Sequence, residues 1–196
     1  NGTPPSGPAR GNLLLDQLLG AEVVFVASRE ERAPKMQEIA DRMRQSGRHP
    51  FVIPIGASVP LGAAAFVLAL AELADQIPAP TAIVHATSSG GTQAGLVAGC
   101  RLLGWPTRVI GISADDAAAE VQSTVELLVG GVAELVESDQ SGWAGATRIE
   151  VDDRFVGEGY AIPSAAGQEA VALCARAEAI FLDPTYTGKA MAGLIS

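Results

Sequence analysis

A run of small hydroxylated residues and glycines is the part of the sequence whose residue types and spacing best suit binding chemistry. The run consists of Ser88, Ser89, Gly90, Gly91 and Thr92, between an apolar segment and a helix-forming one. Glycines let consecutive backbone N–H groups converge on one point, and a helix that begins there adds unpaired donors and the positive end of its dipole. We therefore predict an anion cradle suited to a phosphate monoester. The alternative is a glycine-rich turn that only allows a strand and a helix to pack closely.

Two common nucleotide-binding motifs are absent from this loop. No Gly-Lys-Ser or Gly-Lys-Thr follows the glycines, which excludes a P-loop and the lysine that would reach a triphosphate. The Gly-x-Gly-x-x-Gly spacing of dinucleotide-binding proteins is absent as well. A phosphate on a compact cofactor therefore fits the loop better than a nucleotide.

Two further segments carry aromatic or hydroxyl side chains on turns and loops. In the first, Asp183-Pro184 turns the chain after an apolar segment, and Tyr186 and Thr187 follow where a helix begins. Ligands of open α/β sheets bind outside the carboxyl ends of the strands, so both side chains could face the ligand of the glycine loop. In the second, Tyr160 lies between glycines and a proline on a long loop. Either segment could instead be ordinary: a plain β–α turn, or a surface loop with one packed tyrosine.

The composition indicates a folded protein that does not act on nucleic acid. Of the 196 residues, 48% are hydrophobic, and 13 basic against 22 acidic residues give a net charge of −9. Enough apolar surface is present to offset the chain entropy lost on folding. A sequence-independent nucleic-acid binder needs clustered lysines and arginines, and the sequence contains no such cluster.

Cysteine and histidine usage argues against a disulfide framework and against a metal site. Cys100 and Cys174 lie far apart in apolar helical stretches, which predicts two buried reduced thiols. His49 and His85 do not complete a zinc-binding spacing with them. The longest apolar run, residues 61–73, is too short to cross a bilayer, and the polar, proline-rich start does not resemble a signal peptide. We expect a cytoplasmic protein with no membrane partner.

Apolar segments alternate with helical ones along the chain, which is typical of an α/β fold. The apolar segments are uniformly apolar, so they predict a parallel sheet covered by helices on both faces. We predict strands over residues 22–27, 50–55, 82–86, 108–112, 147–151 and 179–182. We predict helices over residues 12–19, 29–45, 61–75, 92–103, 115–136, 164–177 and 188–195, with a break at Gly130-Gly131 in the fifth.

Taken in order, the three candidate segments resemble the pyridoxal-phosphate enzymes of the tryptophan synthase β-subunit fold (pyridoxal-phosphate fold type II). Within that group the sequence resembles the family of D-cysteine desulfhydrase and 1-aminocyclopropane-1-carboxylate deaminase. The most specific matches are residues 90–95, Gly159-Tyr160 and residues 183–191. Residues 11–16 resemble the start of the family's small domain, and residues 60–63 resemble the helix that returns to its large domain.

The resemblance implies a role for each candidate residue. The phosphate of pyridoxal 5'-phosphate would be held by Ser88, Ser89, Gly90, Gly91 and Thr92. Tyr186 would lie against the pyridine ring and Tyr160 near the substrate, which makes these two the candidate catalytic residues. Thr187 would face the pyridine nitrogen, where deaminase members place a glutamate. A threonine hydroxyl lacks that negative charge, so the resemblance favours the desulfhydrase branch. Glu158 and Ala161 depart from the family pattern beside Tyr160 and leave the substrate open.

The lysine that pyridoxal-phosphate enzymes use to form a Schiff base is not found in the matching segments. Of the chain's two lysines, Lys35 lies in a charged helix predicted to be at the surface, and Lys189 lies in the family's Gly-Lys-Ala-Met run, where the residue is structural. The family's Schiff-base position falls before this chain begins, and the family's C-terminal end is absent too. We therefore expect a fragment that is inactive alone. Residues 1–59 would be part of the small domain and residues 60–196 an incomplete cofactor-binding large domain.

The function implied for the full-length protein is a pyridoxal-phosphate-dependent β-elimination on a D-amino acid. D-Cysteine would give pyruvate, ammonia and sulfide. The alternatives are deamination of 1-aminocyclopropane-1-carboxylate, against which Thr187 argues, and a non-catalytic phosphate-binding α/β remnant. The expected partner is a small amino-acid substrate, with no metal and no nucleic acid, and the expected assembly is a homodimer.

Overall fold

The computed structural model describes residues 7–136, 143 and 148–196. The chain divides into two compact units, Asn1–Pro54 and Ile55–Ser196. The first unit contains helices α1 (Gly11–Leu18) and α2 (Arg32–Gln45). On α2 the ammonium of Lys35 is exposed and lies 2.7 Å from a carboxylate oxygen of Glu38, which confirms that this lysine is a surface residue.

The second unit alternates helices with the strands of a parallel sheet. After a short 3-10 turn (Ile55–Ala57), its elements are α3 (Pro60–Ala74), β1 (Ala82–Thr87), α4 (Gly91–Leu102), β2 (Arg108–Ser113), α5 (Ala118–Leu135), β3 (Glu150–Asp152), α6 (Ala165–Glu178) and α7 (Thr187–Ile195). The strand order is β1–β2–β3, with Ala82 opposite Arg108 and Ile110 opposite Glu150. The predicted α/β class with a parallel sheet is confirmed.

Helices cover both faces of this sheet, because successive strand residues point to opposite sides. On one face, a Cβ added to Gly111 of β2 would lie 2.3 Å from Oε1 of Gln93 on α4. On the other face, a Cβ added to Gly193 of α7 would lie 2.6 Å from Cδ1 of Ile112. The carboxyl ends of β1 and β2 therefore lie at one edge of a layered core.

Helices α3 and α4 pack closely through glycines spaced four residues apart on α4. A Cβ at Gly95 would lie 2.1 Å from the carbonyl oxygen of Ala63, and a Cβ at Gly99 would lie 2.9 Å from Cδ1 of Leu70. At Gly95 only glycine allows the backbone of α3 to approach this closely. This packing places the segment that precedes α3 next to the loop that precedes α4. Gly91, four residues before Gly95, lies on the same face of α4.

Three of the predicted strands are wrong. Residues 22–27, 50–55 and 179–182 form no strand in the described part of the chain. Their composition is that of strands, yet a strand also needs a neighbour to pair its backbone groups, and composition does not encode one. The large side chains of Phe51 and Phe181 are 82% and 87% exposed. Of the predicted strand 147–151, residue 147 lies outside the described residues, and the observed strand is β3.

The predicted break at Gly130-Gly131 is also wrong, because α5 continues through both residues. A Cβ at Gly131 would lie 2.3 Å from Cγ of Pro60, so this glycine admits the start of α3 rather than ending a helix. Cys100 and Cys174 are free and buried, as predicted. No helix in the described ranges is long and apolar enough to cross a membrane.

Candidate functional site

The glycine loop connects the end of β1 to the start of α4. Gly90 has a φ of +80°, a left-handed conformation that glycine adopts without a Cβ clash. It is the N-cap residue of α4, and having no side chain it leaves the first N–H groups of the helix without a side-chain cap. Within the described part of the chain, no backbone hydrogen bond uses the N–H groups of Thr92 or Gln93. These unpaired donors point from the first turn of the helix, where the dipole favours a negative charge.

Ser58, which the sequence analysis missed, joins this loop from the segment before α3. Its hydroxyl donates to Oγ of Ser89 at 2.8 Å and accepts from the N–H of Gly91 at 3.3 Å. A Cβ at Gly91 would lie 2.8 Å from Oγ of Ser58, and a Cβ at Gly56 would lie 2.2 Å from Oγ of Ser89. Both glycines are therefore required for the two serines to meet.

The hydroxyl groups of Ser88 and Thr92 complete the donor set. Among the described residues, neither hydroxyl takes part in a hydrogen bond within the chain. The loop thus combines hydroxyl groups, unpaired N–H groups and a helix N-terminus around a glycine cradle. This donor set fits a phosphate group, and the tight-packing role predicted as the alternative also holds for Gly91.

Tyr160 and Tyr186 form the second cluster. Their hydroxyl oxygens lie 2.5 Å apart, and their rings meet edge to face with centroids 5.8 Å apart at 67°. Burial and the hydrogen bond with Tyr160 raise the pKa of Tyr186 to about 12, so its hydroxyl is protonated at neutral pH. The side chains remain 45% and 38% exposed, which leaves both accessible to a ligand.

Asp183 holds the start of α7 and fixes Thr187. Its carboxylate accepts the N–H groups of Thr185, Tyr186 and Thr187 at 2.7 to 3.0 Å. The hydroxyl of Thr187 donates to Oδ2 of Asp183 at 2.5 Å. Partial burial alone would raise the pKa of Asp183, but these hydrogen bonds outweigh it and lower the pKa to about 2. The carboxylate of Asp183 is therefore ionised, and the hydroxyl of Thr187 uses its one O–H in the hydrogen bond to that carboxylate.

The two clusters lie at the same edge of the sheet. The glycine loop follows β1, and the carbonyl group of Ala114, directly after the adjacent strand β2, accepts a hydrogen bond from Lys189 of α7. The same ammonium reaches the carbonyl group of Gly159, the neighbour of Tyr160. Parallel strands place their carboxyl ends at one edge, which is where ligands of open α/β sheets bind.

His85 lies within β1, two residues before the end of the strand, and is half-buried. Burial lowers its pKa to about 4, although the hydrogen bond that Nδ1–H donates to the carbonyl group of Ala86 at 2.8 Å opposes this shift. The described residues contain no group of three or more histidine, cysteine, aspartate or glutamate side chains placed to hold a metal ion. His85 is therefore neutral at neutral pH.

Comparisons with known proteins identify similar chains. A family model described as pyridoxal-phosphate dependent enzyme matches residues 2–196. D-Cysteine desulfhydrase of Salmonella schwarzengrund (strain CVM19633) is 35% identical over 188 residues, which cover 94% of this chain and 56% of the relative. The crystal structure of an ACC deaminase homologue matches with a TM-score of 0.86 and 32% identity, covering 95% of this chain and 56% of the other. This chain spans a little over half the length of these relatives.

Proposed function

The chain belongs to the family of pyridoxal-phosphate-dependent enzymes, and from this we propose that the full-length protein cleaves D-cysteine. D-Cysteine and water would give pyruvate, ammonia and hydrogen sulfide. The observation that carries the choice of reaction is the neutral hydroxyl of Thr187, at the position where the resemblance puts a glutamate in deaminases. The similarity to D-cysteine desulfhydrase supports the same choice.

In this proposal the chain's own residues bind and orient the reactants. Pyridoxal phosphate, when bound, supplies an electron sink for bonds broken at the amino-acid Cα. Ser58 would join the five loop residues, Ser88, Ser89, Gly90, Gly91 and Thr92, in holding the phosphate group. Tyr186 would pack against the ring. Thr187 would face the ring nitrogen with a neutral hydroxyl, which in this chain is held in place by its hydrogen bond to Asp183.

Tyr160 would act on the substrate. Its side chain is 45% exposed and its hydroxyl is hydrogen-bonded to that of Tyr186, so it can hold a proton close to the reacting atoms. In the overall reaction the Cα–H and Cβ–S bonds of D-cysteine break, the sulfur leaves as hydrogen sulfide, and water releases pyruvate and ammonia. The two tyrosines are thus the proposed catalytic residues of this part of the protein.

A second candidate is ring opening of 1-aminocyclopropane-1-carboxylate, which the similarity to an ACC deaminase homologue favours. That reaction would give 2-oxobutanoate and ammonia and no sulfide. The full-length protein, loaded with pyridoxal phosphate, is therefore assayed with D-cysteine, L-cysteine and the cyclopropane amino acid in parallel. We expect pyruvate and sulfide in equal amounts from D-cysteine.

Each other result decides between the candidates. Formation of 2-oxobutanoate without pyruvate identifies a deaminase. Cofactor binding with no product from any substrate identifies a non-catalytic remnant. Pyruvate from L-cysteine at the higher rate overturns the proposed D-specificity.

We also propose that the protein is a cytoplasmic homodimer and that residues 1–59 and 60–196 belong to its small and large domains. The exposed apolar side chains of α3, among them Leu61 and Leu68 at 68% and 72%, are suited to a protein contact. Light scattering of the full-length protein tests the dimer, and a monomeric mass at micromolar concentration excludes it. Cell fractionation tests the location.

A further inference from the structure

Lys189, on the first turn of α7, is completely buried, with 0% of its surface exposed. Its ammonium donates to three backbone carbonyl oxygens: Ala114 at 3.1 Å, Val156 at 2.7 Å and Gly159 at 2.9 Å. A lysine ammonium has three N–H donors, so all three are used. Burial lowers the pKa of Lys189, and the charge of Asp115 opposes this shift.

The three acceptors belong to two segments that the cluster of tyrosines depends on. Ala114 follows β2, and Val156 and Gly159 lie in the loop of residues 153–163. Gly159 immediately precedes Tyr160, and Lys189 itself lies three residues after Tyr186. The buried ammonium of Lys189 thus links the backbone beside Tyr160 to the first turn of α7, which begins next to Tyr186.

The loop backbone contributes only short-range hydrogen bonds of its own at these positions. The N–H of Val156 donates to the carbonyl group of Asp153, and the N–H of Ile162 donates to that of Gly159, both at 3.3 Å. Gly157, Gly159 and Ala161 have positive φ values of 67°, 135° and 60°. Such a backbone needs an external contact to select one conformation.

An apolar side chain of similar length would fill the same space without the cost of burying a charge. What it could not do is satisfy three inward-pointing carbonyl groups that come from separate segments. The ammonium therefore serves to bind the three carbonyl groups rather than to fill volume. Hydrogen bonds from an ionised donor are stronger than those from a neutral donor.

We propose that Lys189 is a positioning residue whose buried ammonium fixes the 153–163 loop so that the Tyr160 hydroxyl meets that of Tyr186. The effect on turnover rests on the proposed function of the two tyrosines, whereas the effect on the loop does not. Two measurements separate these points.

The first measurement is limited trypsin digestion of the cofactor-loaded full-length protein, followed at Arg154. This arginine lies on the loop and its side chain is 73% exposed. Lys189→Met should speed cleavage after Arg154 by about tenfold or more, because local opening becomes easier. Cleavage after Arg176, in the last turn of α6, serves as the internal reference and should not change. Lys35→Met, at the chain's other lysine, should match the parent at both sites.

The second measurement is a double-mutant cycle with Tyr160→Phe on the proposed substrate. If Lys189 acts through Tyr160, Lys189→Met lowers kcat about tenfold in the parent and about twofold or less in the Tyr160→Phe background. Equal losses in both backgrounds, together with faster cleavage at Arg176 as well, would mean that Lys189 supports the fold in general, and the proposal would be overturned. Unchanged cleavage at Arg154 overturns it too.

Loss of the proposed function does not obscure the result. If the protein does not turn over D-cysteine, the digestion rates alone decide whether Lys189 holds the loop. If Lys189→Met does not fold, Lys189→Gln is digested instead, because it keeps two N–H donors without the charge. Cleavage of that variant after Arg154 at the parent rate would refute the role of the ammonium.

Discussion

The hydroxyl oxygens of Tyr160 and Tyr186 lie 2.5 Å apart, although 26 residues separate them along the chain. They are the chain's two tyrosines. One comes from a loop rich in glycine and the other from the start of α7, so their meeting depends on contacts outside either segment. The arrangement places two hydroxyl groups side by side at the edge of the sheet where the glycine loop lies.

Tyr160→Phe tests this pair directly. Loss of the hydrogen bond should lower the pKa of Tyr186 from about 12, but the remaining burial should keep it above the ordinary value of 10.0. The measurement is the absorbance of ionised tyrosine, taken as the difference between parent and variant titrations. We expect kcat on D-cysteine to fall about 100-fold. Phe155→Leu, on the same loop, should leave both quantities unchanged, and a Tyr186 pKa unaffected by Tyr160→Phe would contradict the pairing.

Ser58→Ala should weaken binding of the cofactor's phosphate group. The change removes the hydroxyl that donates to Ser89 and accepts from Gly91, so the two hydrogen bonds that order the glycine loop are lost. We expect the Kd of the full-length protein for pyridoxal phosphate to rise about threefold to tenfold, measured by calorimetry. Ser123→Ala, at an exposed serine of α5, is the control. Equal affinities of Ser58→Ala and the parent would remove Ser58 from the site.

His85 should make the protein less stable in mild acid. Its pKa is about 4 in the folded chain and 6.5 as the ordinary value, so the unfolded state binds more protons between these limits. Stability contributed by neutral His85 is present above pH 6.5 and is lost as the pH falls toward 4, by about 3 kcal/mol. Urea unfolding at several pH values measures this slope.

His49→Gln provides the control, because His49 is the other histidine and is exposed. We expect His85→Gln to flatten the pH dependence of stability between 6.5 and 4, and His49→Gln to keep it. The same slope in both variants would show that His85 titrates normally.

Gly95→Ala should destabilise the second unit, whereas Gly130→Ala should stabilise it. A Cβ at Gly95 would lie 2.1 Å from the carbonyl oxygen of Ala63, so α3 and α4 must move apart, at a cost of about 1–3 kcal/mol. Gly130 is in the middle of α5 with nothing within 4 Å of an added Cβ, so alanine should gain about 1 kcal/mol of helix propensity. Urea unfolding of the two variants compares them. Stabilisation by Gly95→Ala would mean that the approach of α3 to α4 does not limit the packing, and destabilisation by Gly130→Ala would contradict the helix-propensity argument.

The position of the glycine loop between β1 and α4 could be predicted from sequence because its proposed chemistry is local. Hydroxyl groups, glycines and the first turn of a helix lie within a few residues, so their joint chemistry can be inferred from the order of the residues alone. Strands β1 and β2 could be predicted for a related reason, since each is a continuous apolar segment beside a well-marked helix. The roles proposed for the two tyrosines come from the family resemblance, because the spacing of these residues alone does not indicate a role.

Ser58 and the tyrosine pair could not be predicted from sequence because each depends on a distant partner. Ser58 reaches Ser89 across 31 residues, and only through the close packing of α3 on α4. The wrong strand at residues 179–182 has the same cause, because strand formation is decided by a neighbour that the segment's own composition does not specify. No local pattern marks either relationship.

The contacts of Lys189 also determine when the site can assemble during folding. Its three acceptors lie 75, 33 and 30 residues away in sequence, so the ammonium reaches them only after the chain has closed long loops and β2 has joined the sheet. In a partly folded chain residues 88–92 are adjacent in sequence, but Tyr160 and Tyr186 are not yet held together. The pairing of the two tyrosine hydroxyl groups is therefore expected to form late in folding, after β2 has joined the sheet.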